Sequence, residues 1–317
     1  MAAIGKDIQQ AKALLERGEL VAIPTETVYG LAANALSVSA AAKIFEAKNR
    51  PHFDPLIVHV ADFDSINSFV SVIPSKAIEL AKQFWPGPLT LLLKKKDIIP
   101  DLVTAGLDSV GIRCPNHALT NQLLRQLSFP LAAPSANPFG YISPTKASHV
   151  NDQLGNKIKY ILDGGDCQVG IESTIVGFDK EKPVIYRMGG LSIEAIESVI
   201  GKVELQLNSS SNPKAPGQLK SHYAPTKKLI IGNINKLAQS YDKKEVGILS
   251  FQEFKIDYPT TQQRVLSVQG DLNEAAQNLF TFLRELDALN IKIILAEEVA
   301  DLGLGRAIND RLRRAAT

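Results

Sequence analysis

The stretch Glu19–Val60, ELVAIPTETVYGLAANALSVSAAAKIFEAKNRPHFDPLIVHV, sets the fold class. ELVAIPT is a short apolar run closed by a proline, which reads as a buried strand. SAAAKIFEAKNR carries apolar residues at helical spacing and predicts a helix starting after Ser39. Pro51 biases Arg50 out of helical geometry. PLIVHV then reads as a second strand. Strand, helix and strand in succession form the repeating unit of an α/β domain.

The pattern continues outward in both directions. MAAIGKDIQQAKALLERG reads as an amphipathic helix, with Gly18 as its stop. SKAIELAKQFW is a helix closed by Pro86-Gly87-Pro88, and LTLLLKKK and SVGIRC are strands. A helix is expected from about Ala118 to Gln126. LAAPS, IKYILD, STIVGF and PVIYRM are further short strands, and Ser192 caps the helix IEAIESVIG. Helices alternate with strands at first and strands cluster later, which predicts a mixed sheet. NSSSNPKAPGQLKSHYAPTKK is rich in Ser, Pro, Lys and Gly and reads as a linker. Beyond it, LIIGNI, EVGILSF, RVLSVQ and KIILAEEV are strand candidates, with helices at Asn273–Leu289 and Gly305–Ala315. The expected organisation is an α/β domain over residues 1–203, a linker over 204–228 and a smaller Rossmann-like α/β domain over 229–317.

Composition narrows the function classes. The chain has 317 residues and a net charge of +2, so no global charge marks a nucleic-acid binder. Cys114 and Cys167 give neither a disulfide framework nor a zinc spacing. No apolar run approaches the roughly 20 residues of a membrane span. A cytoplasmic protein without membrane contact is the expectation.

The common nucleotide and hydrolase signatures are missing: there is no G-x-x-x-x-G-K-[ST], H-E-x-x-H or G-x-S-x-G. What remains is a set of polar residues at strand exits. PTETVYG brings Thr25, Glu26 and Thr27. KNRPHFDP brings Lys48 and Arg50, and His59 lies on the next strand. Arg113 ends SVGIR, and APSANPFGYISPT supplies Ser135, Asn137 and Ser143. Ser173 follows Glu172, and Arg187 ends VIYR. Taken singly, the hydroxyls are turn and cap residues, the Lys48/Arg50 pair a solvated helix end, and His59 a core histidine. Arg311, Arg313 and Arg314 read as a helix C-terminus favoured by the dipole. Together, three arginines, a lysine and several hydroxyls make an anion cradle. No matching acid cluster suggests a glycosidase pair or a protein-built metal cage.

These segments, in this order, resemble the YrdC-like threonylcarbamoyl-AMP synthase family, in its long two-domain branch. Lys48-x-Arg50 and Ser135-x-Asn137 fit its K-x-R and S-x-N pattern, and APGQLKSHYAP fits the branch's linker. The resemblance implies a twisted mixed sheet around a central concave cavity. It also implies a reaction in which L-threonine, bicarbonate (or CO2) and ATP give threonylcarbamoyl-AMP and pyrophosphate, with Mg2+ accompanying the nucleotide. Other proteins, the threonylcarbamoyl transferase machinery, would pass the group to tRNA beside the anticodon. Lys48 and Arg50 would neutralise triphosphate charge. Asp54, Ser109, Ser135, Asn137, Ser143, Arg187, His222 and Tyr223 would serve the nucleotide with Arg50. Asp54 stands where the family more often has Asn; if it faces phosphate, its charge needs a cation. Thr27, His59, Arg113, Ala133 and Ser173 would bind threonine, with Arg113 on its carboxylate. The linker would be a lid.

Two other readings compete. One is chemistry on carbamoyl phosphate, whose YrdC-like enzymes carry additional zinc-finger and acylphosphatase-like modules that are not visible here. The other is a module making weak contact with tRNA or double-stranded RNA, against which the small net charge and the lack of aromatic stacking platforms both count.

Overall fold

The structure, a computed structural model, describes residues 1–207, 215–217, 222–255 and 258–317. Parts of the expected linker, 208–214 and 218–221, lie outside the described residues.

The first unit's strands are β1 (Ala3–Gly5), β2 (Val21–Ile23), β3 (Gly30–Asn34), β4 (Ile57–His59), β5 (Leu89–Lys94), β6 (Ser109–Arg113), β7 (Leu131–Ala132), β8 (Tyr160–Leu162), β9 (Thr174–Asp179), β10 (Lys182–Arg187) and β11 (Glu204–Leu205). They form one mixed sheet in the order β1-β8-β2-β3-β7-β4-β6-β5-β9-β10-β11. Its helices are α1 (Ile8–Glu16), α2 (Val38–Lys48), α3 (Ser75–Phe84), α4 (Asp101–Thr104), α5 (Ala118–Gln126), α6 (Ala147–Leu154) and α7 (Ile193–Ile200). The mixed sheet was legible from the clustering of strands.

Local chemistry fixes the helix starts. Asp7 caps α1 by accepting from the backbone N–H of Gln9 and Gln10. The residues before that cap are therefore not helical, as the amphipathic reading had them. Ala3–Gly5 instead pair with Tyr160–Leu162 as the edge strand β1. Helix α2 starts at Val38, earlier than expected, because Ser37 supplies the cap. Ser192 does cap α7, accepting from Ala195 N at 3.2 Å. Ile193, Ile196 and Ile200 of α7 join the first unit's core, each contributing about 1.5–3 kcal/mol by burial.

The second unit holds β12 (Lys228–Ile231), β13 (Val246–Ser250), β14 (Gln263–Val265) and β15 (Ile293–Ala296), with α8 (Ile234–Leu237), α9 (Leu272–Ala288) and α10 (Gly305–Ala315). All four strands run parallel, in the order β12-β15-β13-β14. The last strand thus lies between the first two, unlike the 3-2-1-4 order of a dinucleotide-binding half.

The two units share a core. Val28, Ile142, Ile171 and Tyr223 pack in one buried cluster with Leu279, Phe280, Ile308 and Leu312. Gly170 shows how close the approach is. Its φ is +78°, and a Cβ there would stand 2.4 Å from the Cα of Gln277 on α9. No described helix is long and apolar enough to cross a membrane.

Candidate active site

Sheet register gathers the strand exits. His59 and Arg113 end β4 and β6 as direct partners in a parallel pair. Gly30, at the start of β3, bridges Ser135 beyond β7. Ser173 precedes β9, and Arg187 ends its neighbour β10. These exits line one cavity, with about 570 Å³ of empty space, open mouth included.

The Pro-rich loop after β7 is held by Lys48. This side chain is 1% exposed. Its ammonium donates to the carbonyls of Ser135, at 2.6 Å, and Asn137. Asn137 Nδ2 donates to the carbonyls of Pro138 and Tyr141, both at 2.8 Å. Backbone bonds from Leu31 N to Pro134 O and from Ala136 N to Tyr29 O also tie the loop down, and these side chains add to them where prolines remove N–H donors. Burial, and then the charge of Arg50, lower the Lys48 pKa well below its usual value.

Three buried ion pairs surround the cavity. Arg50 meets Asp54 at 2.9 Å and also donates to the carbonyls of Asp54 and Pro55. Arg50 thus offsets the Asp54 charge within the protein. Arg113 meets Glu26 at 2.8 Å and donates to Thr27 Oγ1 at 2.8 Å. Glu172 Oε2 receives Arg311 Nε at 2.9 Å, and its Oε1 receives the Ser143 hydroxyl at 2.5 Å. Burial works to raise the Glu172 pKa, but the charges of Arg311 and Arg187 and the Ser143 bond hold it below the usual range. Arg187 differs from the other three arginines. It donates to Ser173 O, Ser173 Oγ and Pro216 O, and it makes no ion pair with a carboxylate among the described residues. Burial, then Arg113, push the His59 pKa down to about 3, so its ring is neutral.

A strap crosses between the units. Pro216, Gly217, His222 and Tyr223 all line the cavity. Tyr223 has φ +63° and stacks on Phe280 of α9, with ring centroids 5.5 Å apart. Ala224 N donates to Gly140 O at 2.8 Å, and Tyr141 OH donates to Asp287 at 2.7 Å. The strap is therefore seated on the Pro-rich loop from one side and on α9 from the other.

Thr27, Arg50, His59, Arg113, Ala133, Ser135, Ser173, Arg187, His222 and Tyr223 stand on the cavity wall. Lys48, Asp54, Asn137 and Ser143 stand behind it, bonded to wall residues or to the loop that carries them. Ser109 is remote. It opens β6 opposite Lys94, four strand residues or roughly 13 Å from Arg113. Sequence reasoning left Glu26 and Glu172 out of the site. The available signal was electrostatic, since arginines in an apolar cavity need counter-ions. Arg313 and Arg314 stand in the last turn of α10, as the dipole reading has them, but Arg311 is 0% exposed and points inward to Glu172.

A family model named for Sua5, YciO and YrdC, described as "Telomere recombination", matches residues 13–189. The chain belongs to the Sua5/YciO/YrdC family. A second model, "Threonylcarbamoyl-AMP synthase, C-terminal domain", matches residues 191–317, so this member has the two-domain form. A Pyrococcus abyssi relative named threonylcarbamoyl-AMP synthase is 41% identical over 97% of this chain and 93% of its own length. A Bacillus subtilis relative of the same name is 43% identical over 98% and 92%. The crystal structure of P. abyssi Sua5 complexed with L-threonine superposes with a TM-score of 0.92 at 39% identity, covering 99% of this chain and 98% of that one. Full-length HypF in a phosphate- and nucleotide-bound form, at 22% identity and TM-score 0.52, shares the fold over 58% of this chain.

Proposed function

We propose that this chain is a threonylcarbamoyl-AMP synthase. L-Threonine, bicarbonate or CO2, and ATP react to give threonylcarbamoyl-AMP and pyrophosphate, the first step of threonylcarbamoyladenosine formation in tRNA. The observation that carries the reading is the likeness, over nearly the whole chain, to a protein crystallised with L-threonine. The cavity's charge supports it, since Arg113 beside Thr27 and His59 suits a small amino acid. Arg50, Ser135 and Arg187 line the same cavity and suit a polyphosphate.

In this reading threonine's neutral amine adds to CO2 and loses a proton, giving a carbamate. A carbamate oxygen then attacks the α-phosphorus, a new O–P bond forms, and the bond to pyrophosphate breaks. Arg113 holds the α-carboxylate, and neutral His59 and the Thr27 and Ser173 hydroxyls orient the amino acid. Arg50 and Arg187 offset charge on the nucleotide, with Ser135 at their side. Positioning two reactants contributes about 7–11 kcal/mol to such a step. No protein nucleophile takes part. The donor set does not fit a protein-built magnesium site: Glu26, Asp54 and Glu172 each face an arginine. Mg2+ would therefore enter on the triphosphate, which supplies its oxygen ligands, and no step here passes through it.

Residues 1–203 are the catalytic unit in this proposal, 204–228 a lid that keeps water from carbamate and mixed anhydride, and 229–317 the unit that seats the lid. The product passes to a threonylcarbamoyl transferase in the cytoplasm. Pyrophosphate release, assayed with each substrate omitted in turn, tests the reaction. Release that needs all three supports it, and an undiminished rate without threonine refutes it.

A further inference from the structure

Arg311 belongs to the second unit, yet its guanidinium reaches Glu172 and Tyr223, two residues that line the cavity. Nε reaches Glu172 at 2.9 Å, Nη1 reaches Asp310 at 2.9 Å, and the guanidinium carbon lies 5.0 Å from the centre of the Tyr223 ring. Other ties dock the two units without touching a cavity carboxylate. Arg306 meets Glu194 at 3.0 Å, Thr145 and Thr281 share a hydrogen bond of 2.8 Å, and Arg284 donates to the carbonyls of Ile142 and Ser143. Docking therefore does not need a buried charge at position 311.

The charges around Glu172 explain what does. Arg311 and Arg187 both act on its carboxylate, from α10 and from β10, while the Ser143 hydroxyl bonds it from the Pro-rich loop. Tyr223 of the strap also faces the pair. Arg187 is the cavity arginine that makes no carboxylate ion pair among the described residues, so its charge is less offset than those of Arg50 and Arg113 when an anion arrives. A Glu172 released from Arg311 would turn that charge inward.

We infer that Arg311 is a positioning residue for the reaction in the other unit: it occupies Glu172, fixes Ser143 through it, and so leaves Arg187 to the nucleotide. The inference rests on the function proposed above. It makes the second unit part of the catalytic apparatus rather than an attached module.

The test is steady-state pyrophosphate release by the full-length chain, with KM measured separately for ATP and threonine. Arg311→Met is expected to lower kcat/KM for ATP by on the order of tenfold to 10²-fold, while the threonine KM, governed by Arg113 and its separate Glu26 pair, stays within about twofold. Adding Glu172→Gln removes the stray charge but keeps an acceptor for Ser143, and should restore most of the loss. Should Arg311→Met not fold, the comparison moves to the Glu172→Gln background. There Arg311→Met should change the ATP KM by no more than about twofold. A residue that only ties the units together would lower both substrates' kcat/KM alike and would not be rescued by Glu172→Gln; that result overturns the inference. So does wild-type ATP kinetics in Arg311→Met. If the wild-type enzyme itself releases no threonine-dependent pyrophosphate, the functional reading has failed instead.

Discussion

Arg50, Arg113 and Arg187 are each fixed by bonds to protein atoms before any substrate arrives. Such fixing lowers the reorganisation needed when charge moves during the reaction. Arg113→Ala should chiefly raise the threonine KM, and Arg50→Ala the ATP KM. Each loses about 3–5 kcal/mol, since removing one partner strands a buried carboxylate; kinetics in both substrates report it. His59 carries a pH prediction. Its folded pKa, about 3, lies below the unfolded value of about 6.5. It therefore adds stability above pH 6.5 that is lost as pH falls toward 3. Replacing His59 with Gln should flatten the fall in melting temperature between pH 6.5 and 4; an unchanged slope would contradict its burial as a neutral ring. Arg113 and Arg187 were legible because each closes an apolar strand, and Arg50 because Pro51 takes it out of helical geometry. Glu172 and Arg311 were not, since their pairing spans 139 positions and neither residue type announces a buried partner.

The Pro130–Lys146 segment decides whether the wall exists at the level of elements. Backbone bonds tie it to Tyr29, Leu31, Ala35, Ile57 and Cys167, and the side chains of Lys48, Asn137 and Arg284 hold the turns between them. Lys48→Met should unseat Ser135 as well as lose a charge. The expected outcome is a lower melting temperature together with a higher ATP KM, measured by calorimetry and pyrophosphate release. A Lys48 acting only as a charge at the phosphates would leave the melting temperature unchanged. The helices are legible where a cap and an apolar stripe coincide, as at Ile193–Ile200 behind Ser192 and Leu272–Ala288 behind Asp271. The sequence hides β3, whose residues GLAAN include no β-branched or aromatic side chain. It also hides β1, which exists only because β8 is there to pair with it.

At the scale of the molecule, the shared cluster joining Val28, Ile142 and Tyr223 to Phe280 and Leu312 argues against two independent units. A chain ended after residue 203 would expose that apolar face and lose the strap and Arg311. It should be aggregation-prone, and what remains soluble should release pyrophosphate far more slowly than the full chain. A soluble, fully active fragment would contradict this. The alternating order of helices and strands foretold two α/β units, but nothing in either segment's own pattern foretold that their cores merge. The central claim is that one cavity holds an amino acid and a nucleoside triphosphate together. The direct measurement is a crystal structure of the full chain with L-threonine and a non-hydrolysable ATP analogue. The account predicts the threonine carboxylate on Arg113 and the triphosphate against Arg50 and Arg187, beneath His222 and Tyr223. Either ligand bound outside that cavity would contradict it.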